Sequence, residues 1–198
     1  MTNETKKEVD IAELQSLVES NHKILGLDIG SKRVGVAIST SDMTGALPLR
    51  TIKYSNMKGF LKELNELIKL HQVKALIIGL PLNMDGSEGK SAQSIRDKSR
   101  DINLSLNIPY SFWDERLSTV AVDRLYKDNS KSTKKAHNEK KEIDSLASAF
   151  ILEGALNYFR MSFMFEYLIV LNGRAPVISD VEIATPILLL PISNPRIL

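Results

Sequence analysis

The spacing of apolar and polar positions divides the chain into an amino-terminal extension, a central domain and a tail. Residues 1–22 are mostly polar, with Ile11, Leu14 and Leu17/Val18 at a near-helical spacing that predicts a short appended helix. From residue 24 the texture changes. "ILGLD" and "VGVAIST" are apolar, β-branched runs joined by "IGSKR", which predicts a hairpin with Gly30 in its turn. A third strand is expected over 47–54. Residues 57–70 then place Phe60, Leu61, Leu64, Leu67 and Ile68 on one side of a helix. "VKALIIG" (73–79) is a continuous apolar run, as expected for a strand buried on both faces.

A polar, weakly amphipathic helix over 88–106 and a strand over 108–113 follow. Next come a helix beginning with "STVAVDRLYKD", capped by Ser118, and a strong final helix over 138–159. The order βββαβα-βα-α predicts an α/β domain over 23–160. Its mixed five-stranded sheet has three antiparallel strands leading into parallel βα units, with helices on both faces. Residues 161–198 differ, holding four of the seven prolines and only five charged residues. Their "FMFEYLIVL" reads as a possible strand, and the segment as a packing layer, a dimer contact or an ill-ordered extension.

Composition narrows the partners without choosing one. The net charge of +2 gives no argument for nucleic acid, so positive charge has to be located rather than summed. The absence of cysteine excludes disulfides and thiolate zinc sites and agrees with a reducing cytoplasm. No apolar leader and no window of ~18 apolar residues is present, which predicts a cytoplasmic protein with no membrane partner. His22, His71 and His137 are scattered without ligand-like spacing.

Three acidic positions fall at the ends of predicted elements, where side chains from different strands converge. Asp28 ends the first strand, on the face of Ile24 and Gly26 by alternation. It reads equally as a turn former or as a ligand, because a carboxylate on a core face is costly without a cation. Asp114 and Glu115 follow the fifth strand. Asp144 sits among Ile143, Leu146 and Ala147, facing inward, and a first-turn carboxylate is also favoured by the helix dipole. Alone, "DER" reads as surface charge. Together, the three carboxylates suit one or two Mg²⁺ ions, with Mn²⁺ as the alternative, since hard cations choose oxygen. Two such ions can drive phosphodiester hydrolysis. Lys32 and Arg33 lie in the hairpin turn. Lys131, Lys134 and Lys135 belong to a basic loop before Asp144, a pattern that phosphates would suit but that most often marks a solvated loop.

"LDIGSKRVGVAIS", "IIGLPLNMDGSEG", "WDERLSTVAV" and "KKEIDSLASAFILEGAL" occur here in the order and spacing of the YqgF (RuvX) family, which this chain resembles over residues 23–159. The family is assigned Holliday junction resolution and maturation of the 5′ end of pre-16S ribosomal RNA. The resemblance implies an RNase H-like fold and a metal-dependent nuclease. It implies Asp28, Glu115 and Asp144 as catalytic and metal-binding residues, and Arg116 as a partner to substrate or carboxylate. Gly79, Pro81, Asn83 and Asp85 would form a loop shaping the site. A structured RNA precursor is the expected partner ahead of a four-way DNA junction, and a homodimer would follow for the junction. A non-catalytic nucleic-acid binder is the other reading. "LDIG" also resembles the first phosphate loop of sugar-kinase and actin-like ATPases, which need a second such loop that this chain lacks.

Overall fold

The computed structural model describes residues 8–18, 22–117 and 136–172, with backbone alone for 117, 136–143 and 166–172. Its contacts fall into two units, Met1–Arg160 and Met161–Leu198. The first unit holds a five-stranded sheet of order β3-β2-β1-β4-β5. The strands are β1 (Lys23–Ile29), β2 (Arg33–Ser39), β3 (Ala46–Lys53), β4 (Val73–Leu80) and β5 (Tyr110–Asp114). The first three pair antiparallel, while β4 joins β1 and β5 joins β4 in parallel. This is the mixed five-stranded sheet that the apolar runs predicted, in the form the family resemblance implied.

The helices are α1 (Ile11–Leu17), α2 (Met57–His71), α3 (Lys90–Leu106) and α4 (Ala136–Asn172). Each well-defined end has a local cause. Asp10 accepts from the Glu13 amide at 2.7 Å, and Asn56 accepts from that of Gly59 at 2.8 Å, so both are N-caps. Gln72 and Asn107 end α2 and α3 in the left-handed region, with φ of 57° and 48°.

Period-two alternation sends β1 side chains to opposite faces. Leu25, Leu27 and Ile29 join Val34, Val36, Leu76 and Ile78 in a core closed by Phe60 and Leu64 of α2 and by Ile95 and Ile102 of α3. Ile24, Ala37, Ala75 and Ile77 form the opposite core with Leu14 of α1 and Ile151, Leu152, Ala155 and Leu156 of α4. Helices therefore cover both faces.

Three expectations change. The final helix does not stop at 159, and "FMFEYLIVL" is helical rather than a strand, because α4 runs to Asn172. No proline interrupts the chain between residues 110 and 175, so helical hydrogen bonding continues past the domain. In the second unit Met161, Phe163 and Met164 are exposed. Gly79 lies within β4 and not in the loop that follows it. The helix expected from Ser118 and the basic loop with Lys131, Lys134 and Lys135 lie outside the described residues. Among the described residues, no helix is long and apolar enough to cross a membrane.

Candidate active site

The site lies at the ends of β1 and β5, on the α4 face of the sheet. Its position follows from glycines. A Cβ at Gly26 would meet Leu152 Cβ and the Ser148 carbonyl, each at 2.7 Å, so only glycine lets α4 lie this close to β1. A Cβ at Gly35 would collide with the Asp144 backbone carbonyl. Asp28 stands directly opposite Gly35 in the β1–β2 register and shares a face with Gly26. Asp28 and the start of this helical stretch are thereby brought together across the sheet.

Glu115 arrives from the other side. It opens a 3₁₀ turn, Glu115–Leu117, immediately after β5. Its carboxylate lies over β4, where a Cβ at Gly79 would collide with Oε1. Gly79 thus leaves space that the acid fills.

Electrostatics bind these groups into one site. Burial, then the negative charge of Asp144, pushes the Asp28 carboxyl up to about 6 from an ordinary 3.8. Burial, then Asp28 and Asp114, pushes Glu115 up to about 7 from 4.5. Two partly buried acids that resist ionising together make a place with too little positive charge.

The two arginines expected near substrate are engaged by carboxylates. Arg33 Nε donates to Asp144 Oδ2 at 2.5 Å. Arg116 grips both oxygens of Asp114, with Nη2 donating to Oδ2 at 2.6 Å and Nε to Oδ1 at 3.1 Å, a bidentate pair. Hydrogen bonding from Arg116 holds the Asp114 carboxyl below its usual range, opposite in direction to its neighbour Glu115. Arg116 Nη1 also donates to the carbonyls of Asn83 and Met84, at 3.3 and 3.2 Å. Asn83 and Asp85 close a turn with Ser87: the Asn83 amide donates to the Ser87 carbonyl at 2.9 Å, and Ser87 Oγ donates to Asp85 Oδ1 at 2.6 Å. Gly86, at φ 85°, completes the turn. Arg116 therefore fastens this turn to the β5 end. Pro81 is half-buried just after β4, and Lys32 is exposed in the hairpin turn beside Asp28.

The sequence pattern missed the pairing of Arg33 with Asp144 and of Arg116 with the 83–84 carbonyls. The glycines were the available signal, since a glycine inside an apolar strand often marks a close approach of backbone. In kind and charge the carboxylates suit a hard cation. In this arrangement they do not close around one, since among the described residues no three ligand-type side chains converge on a common point. The expected trio is thus pairwise coupled, and the Arg33 ion pair holds its third member.

The sheet order is that of the RNase H-like fold, and the family match places the chain among nucleases of that fold. The chain belongs to the family described as RuvX, Holliday junction resolvase, which matches residues 22–158. A Pelagibacter ubique protein named "Putative pre-16S rRNA nuclease" is 41% identical over 136 residues, 69% of this chain and 88% of its own length. One of the same name from Roseobacter denitrificans is 37% identical over 154 residues, 77% and 93% of the two chains. Among solved structures, Thermus thermophilus RuvC in complex with a Holliday junction substrate is 14% identical. That likeness has a TM-score of 0.47 and covers 71% of this chain and 96% of that one. The yeast mitochondrial Holliday junction resolvase is 12% identical, also with a TM-score of 0.47, and covers 82% and 89%.

Proposed function

We propose that this chain is a divalent-metal-dependent nuclease that trims the 5′ end of pre-16S ribosomal RNA in the cytoplasm. The observation that carries the reading is the pair of carboxyls, Asp28 and Glu115. Burial raises both, helped by repulsion from Asp144 at Asp28 and from Asp28 and Asp114 at Glu115, to about 6 and about 7, at the ends of the two strands that flank β4. A pair that gains so much by meeting a cation is suited to metal-assisted hydrolysis. The names of the relatives supply the substrate.

In this reading Asp28 and Glu115, joined by Asp144, would hold Mg²⁺, or Mn²⁺ in its place. The bound ion supplies Lewis-acid stabilisation of the phosphodiester and lowers the pKa of an attacking water. The chain's own residues do the rest. Glu115, raised to about 7, keeps roughly half of its proton at neutral pH, and Asp28, raised to about 6, keeps a smaller share that a bound cation would displace. Lys32 presents its ammonium at the hairpin beside Asp28, where a phosphate of the backbone would lie. Arg116 holds Asp114 and the 83–87 turn, so that Glu115 leaves β5 in one direction only. The loop with Lys131, Lys134 and Lys135 would add phosphate contacts along the strand.

The test is cleavage of a pre-16S RNA precursor and of a four-way DNA junction, side by side with Mg²⁺, by wild type and Asp28→Asn. The RNA should be cut in preference, and Asp28→Asn should slow cutting on the order of 10³-fold or more, the several kcal/mol attributed to metal stabilisation. Faster cutting of the junction would favour the resolvase reading, which calls for a two-fold dimer with paired sites. Salt-sensitive binding with no cleavage in Mg²⁺ or Mn²⁺ would identify a binding module instead.

A further inference from the structure

The Asp144 carboxylate already has a cation. Arg33 Nε meets its Oδ2 at 2.5 Å, with the two side chains 36% and 24% exposed, so the pair lies at the rim of the site within reach of solvent ions. Backbone geometry fixes both partners. Arg33 and Gly35 are two apart on β2 and therefore face the same side of the sheet. Gly35 has no Cβ, and the Asp144 carbonyl occupies the space one would take. The helix is thus seated against β2 at Asp144, which brings that carboxylate over Arg33. A third observation fits. Asp28 and Glu115 lie in one electrostatic cluster with Asp144, yet no three ligand-type side chains converge among the described residues.

We propose that Arg33 stands in for the divalent ion at Asp144, so that guanidinium and ion compete for the same carboxylate. The inference rests on the metal-site reading above and adds a step of exchange to it. While the site lacks an ion, Arg33 neutralises the member of the cluster nearest the rim and keeps it from repelling Asp28 further. With an ion bound, Asp144 would be among its ligands and the guanidinium would be freed. Arg33 then stands beside Lys32 on the hairpin, and the two cations suit a phosphate that could not be gripped before. Metal loading and substrate gripping are thereby ordered by one side chain.

The experiment measures Mg²⁺ and Mn²⁺ binding by titration calorimetry, with no nucleic acid present, for wild type, Arg33→Gln, Lys32→Gln and Asp28→Asn. Competition predicts that Arg33→Gln binds the ion about tenfold more tightly, the worth of one charge-assisted hydrogen bond. Lys32→Gln removes an equal charge one residue away and should shift affinity by less than about twofold, since an exposed charge is screened. Equal or weaker binding by Arg33→Gln, with binding lost in Asp28→Asn, overturns the competition and leaves the metal site standing. Equal tightening by both charge removals also overturns it, because the effect would then be general electrostatics. Absence of Mg²⁺ and Mn²⁺ binding in every variant overturns the metal reading itself, and the competition with it. Should Arg33→Gln fold poorly, the wild-type protein still decides. The Arg33 Nε–Hε resonance, assigned by its absence from Arg33→Lys, should move on adding Mg²⁺ in step with metal binding, and a resonance that stays put refutes the exchange.

Discussion

The two faces of the sheet are built on opposite rules. The face under α2 and α3 is lined by large side chains, Leu25, Leu27, Ile29, Val36, Leu76 and Ile78, which fill the gap to the helices with hydrocarbon. On the α4 face, Gly26 and Gly35 let the helix backbone approach until a single methyl would collide, Ala37 and Ala75 are small, and Gly79 leaves room for the Glu115 carboxylate. Ser148, fully buried there, satisfies its hydroxyl on the Ser145 carbonyl at 2.8 Å. One face stabilises by area removed from water; the other places backbone atoms. The carboxylates are on the second, because a charged side chain can be held at a defined position only where the elements around it cannot slide.

Truncating one residue on each face separates the two rules. Leu27→Ala, at a fully buried position of the α2/α3 face, should cost about 2–5 kcal/mol through lost burial and a residual cavity. Its cleavage rate per folded molecule should stay that of wild type, measured well below the new midpoint. Gly35→Ala adds one methyl on the other face and should cost only about 1–3 kcal/mol. Yet it pushes Asp144 off its seat and should slow cleavage on the order of 10²-fold, as displacements of about 1 Å do. If Leu27→Ala slows the folded enzyme as much as Gly35→Ala does, the division of labour between the faces is wrong.

The sequence makes the hydrophobic face nearly transparent. Apolar runs of strand length and the 57–70 helical stripe mark its strands and α2, because burial of area leaves a periodic trace, while α3 shows only as a polar, weakly amphipathic helix. Asp28 is legible for the same reason, since alternation placed it with Ile24 and Gly26 before any contact was known. The opposite face is legible only as glycines, and a glycine does not say what approaches it. Arg33 and Asp144 lie 111 residues apart, and nothing local to either announces the other. Arg116 is beside Asp114 in the chain, so that pair could be read. Its grip on the Asn83 and Met84 carbonyls could not, because carbonyls belong to every residue. The length of α4 escaped for another reason: helix propagation past a domain's end depends on the absence of a breaker more than on the identity of the apolar residues.

Titration sharpens the contrast, because the carboxylate cluster works against the stability that the other face supplies. For Asp28 the native value, about 6, lies above the ordinary 3.8. The folded state therefore holds its proton to higher pH than the unfolded chain does. The stability this gives is present below pH ~4 and is lost as pH rises towards 6, with Glu115 extending the loss towards 7. Metal-free Asp28→Asn escapes that loss. At pH 7.5 it should be more stable than metal-free wild type by about 2 kcal/mol, or roughly 5 °C in melting temperature, and the gap should close towards pH 4. Thermal melts in chelator across that range check the sign. A variant less stable than wild type at pH 7.5 would mean that the acid supports the fold instead of straining it.

The smallest expected effect is at the sheet's edge, outside both faces. Glu8 forms a parallel bridge with Tyr110, and the Val9 amide donates to the Tyr110 carbonyl at 3.0 Å, so the amino-terminal segment covers part of the edge of β5. Such cover removes open hydrogen-bonding groups that would otherwise pair with another chain. Arg96 secures it, reaching Glu8 at 2.8 Å and Glu88 at 2.7 Å while its guanidinium lies 4.6 Å over the Phe112 ring. The Glu8 carboxylate is 45% exposed, so Glu8→Gln should cost under about 1 kcal/mol, with the difference vanishing at high salt. Tyr110 opens β5 and Asp114 closes it, about 13 Å apart along the strand at ~3.3 Å per residue. Glu8→Gln should therefore leave the cleavage rate within twofold of wild type. A larger drop would show that edge and site are one mechanical unit, and the separation of scaffold from chemistry would then hold for the α2/α3 face alone.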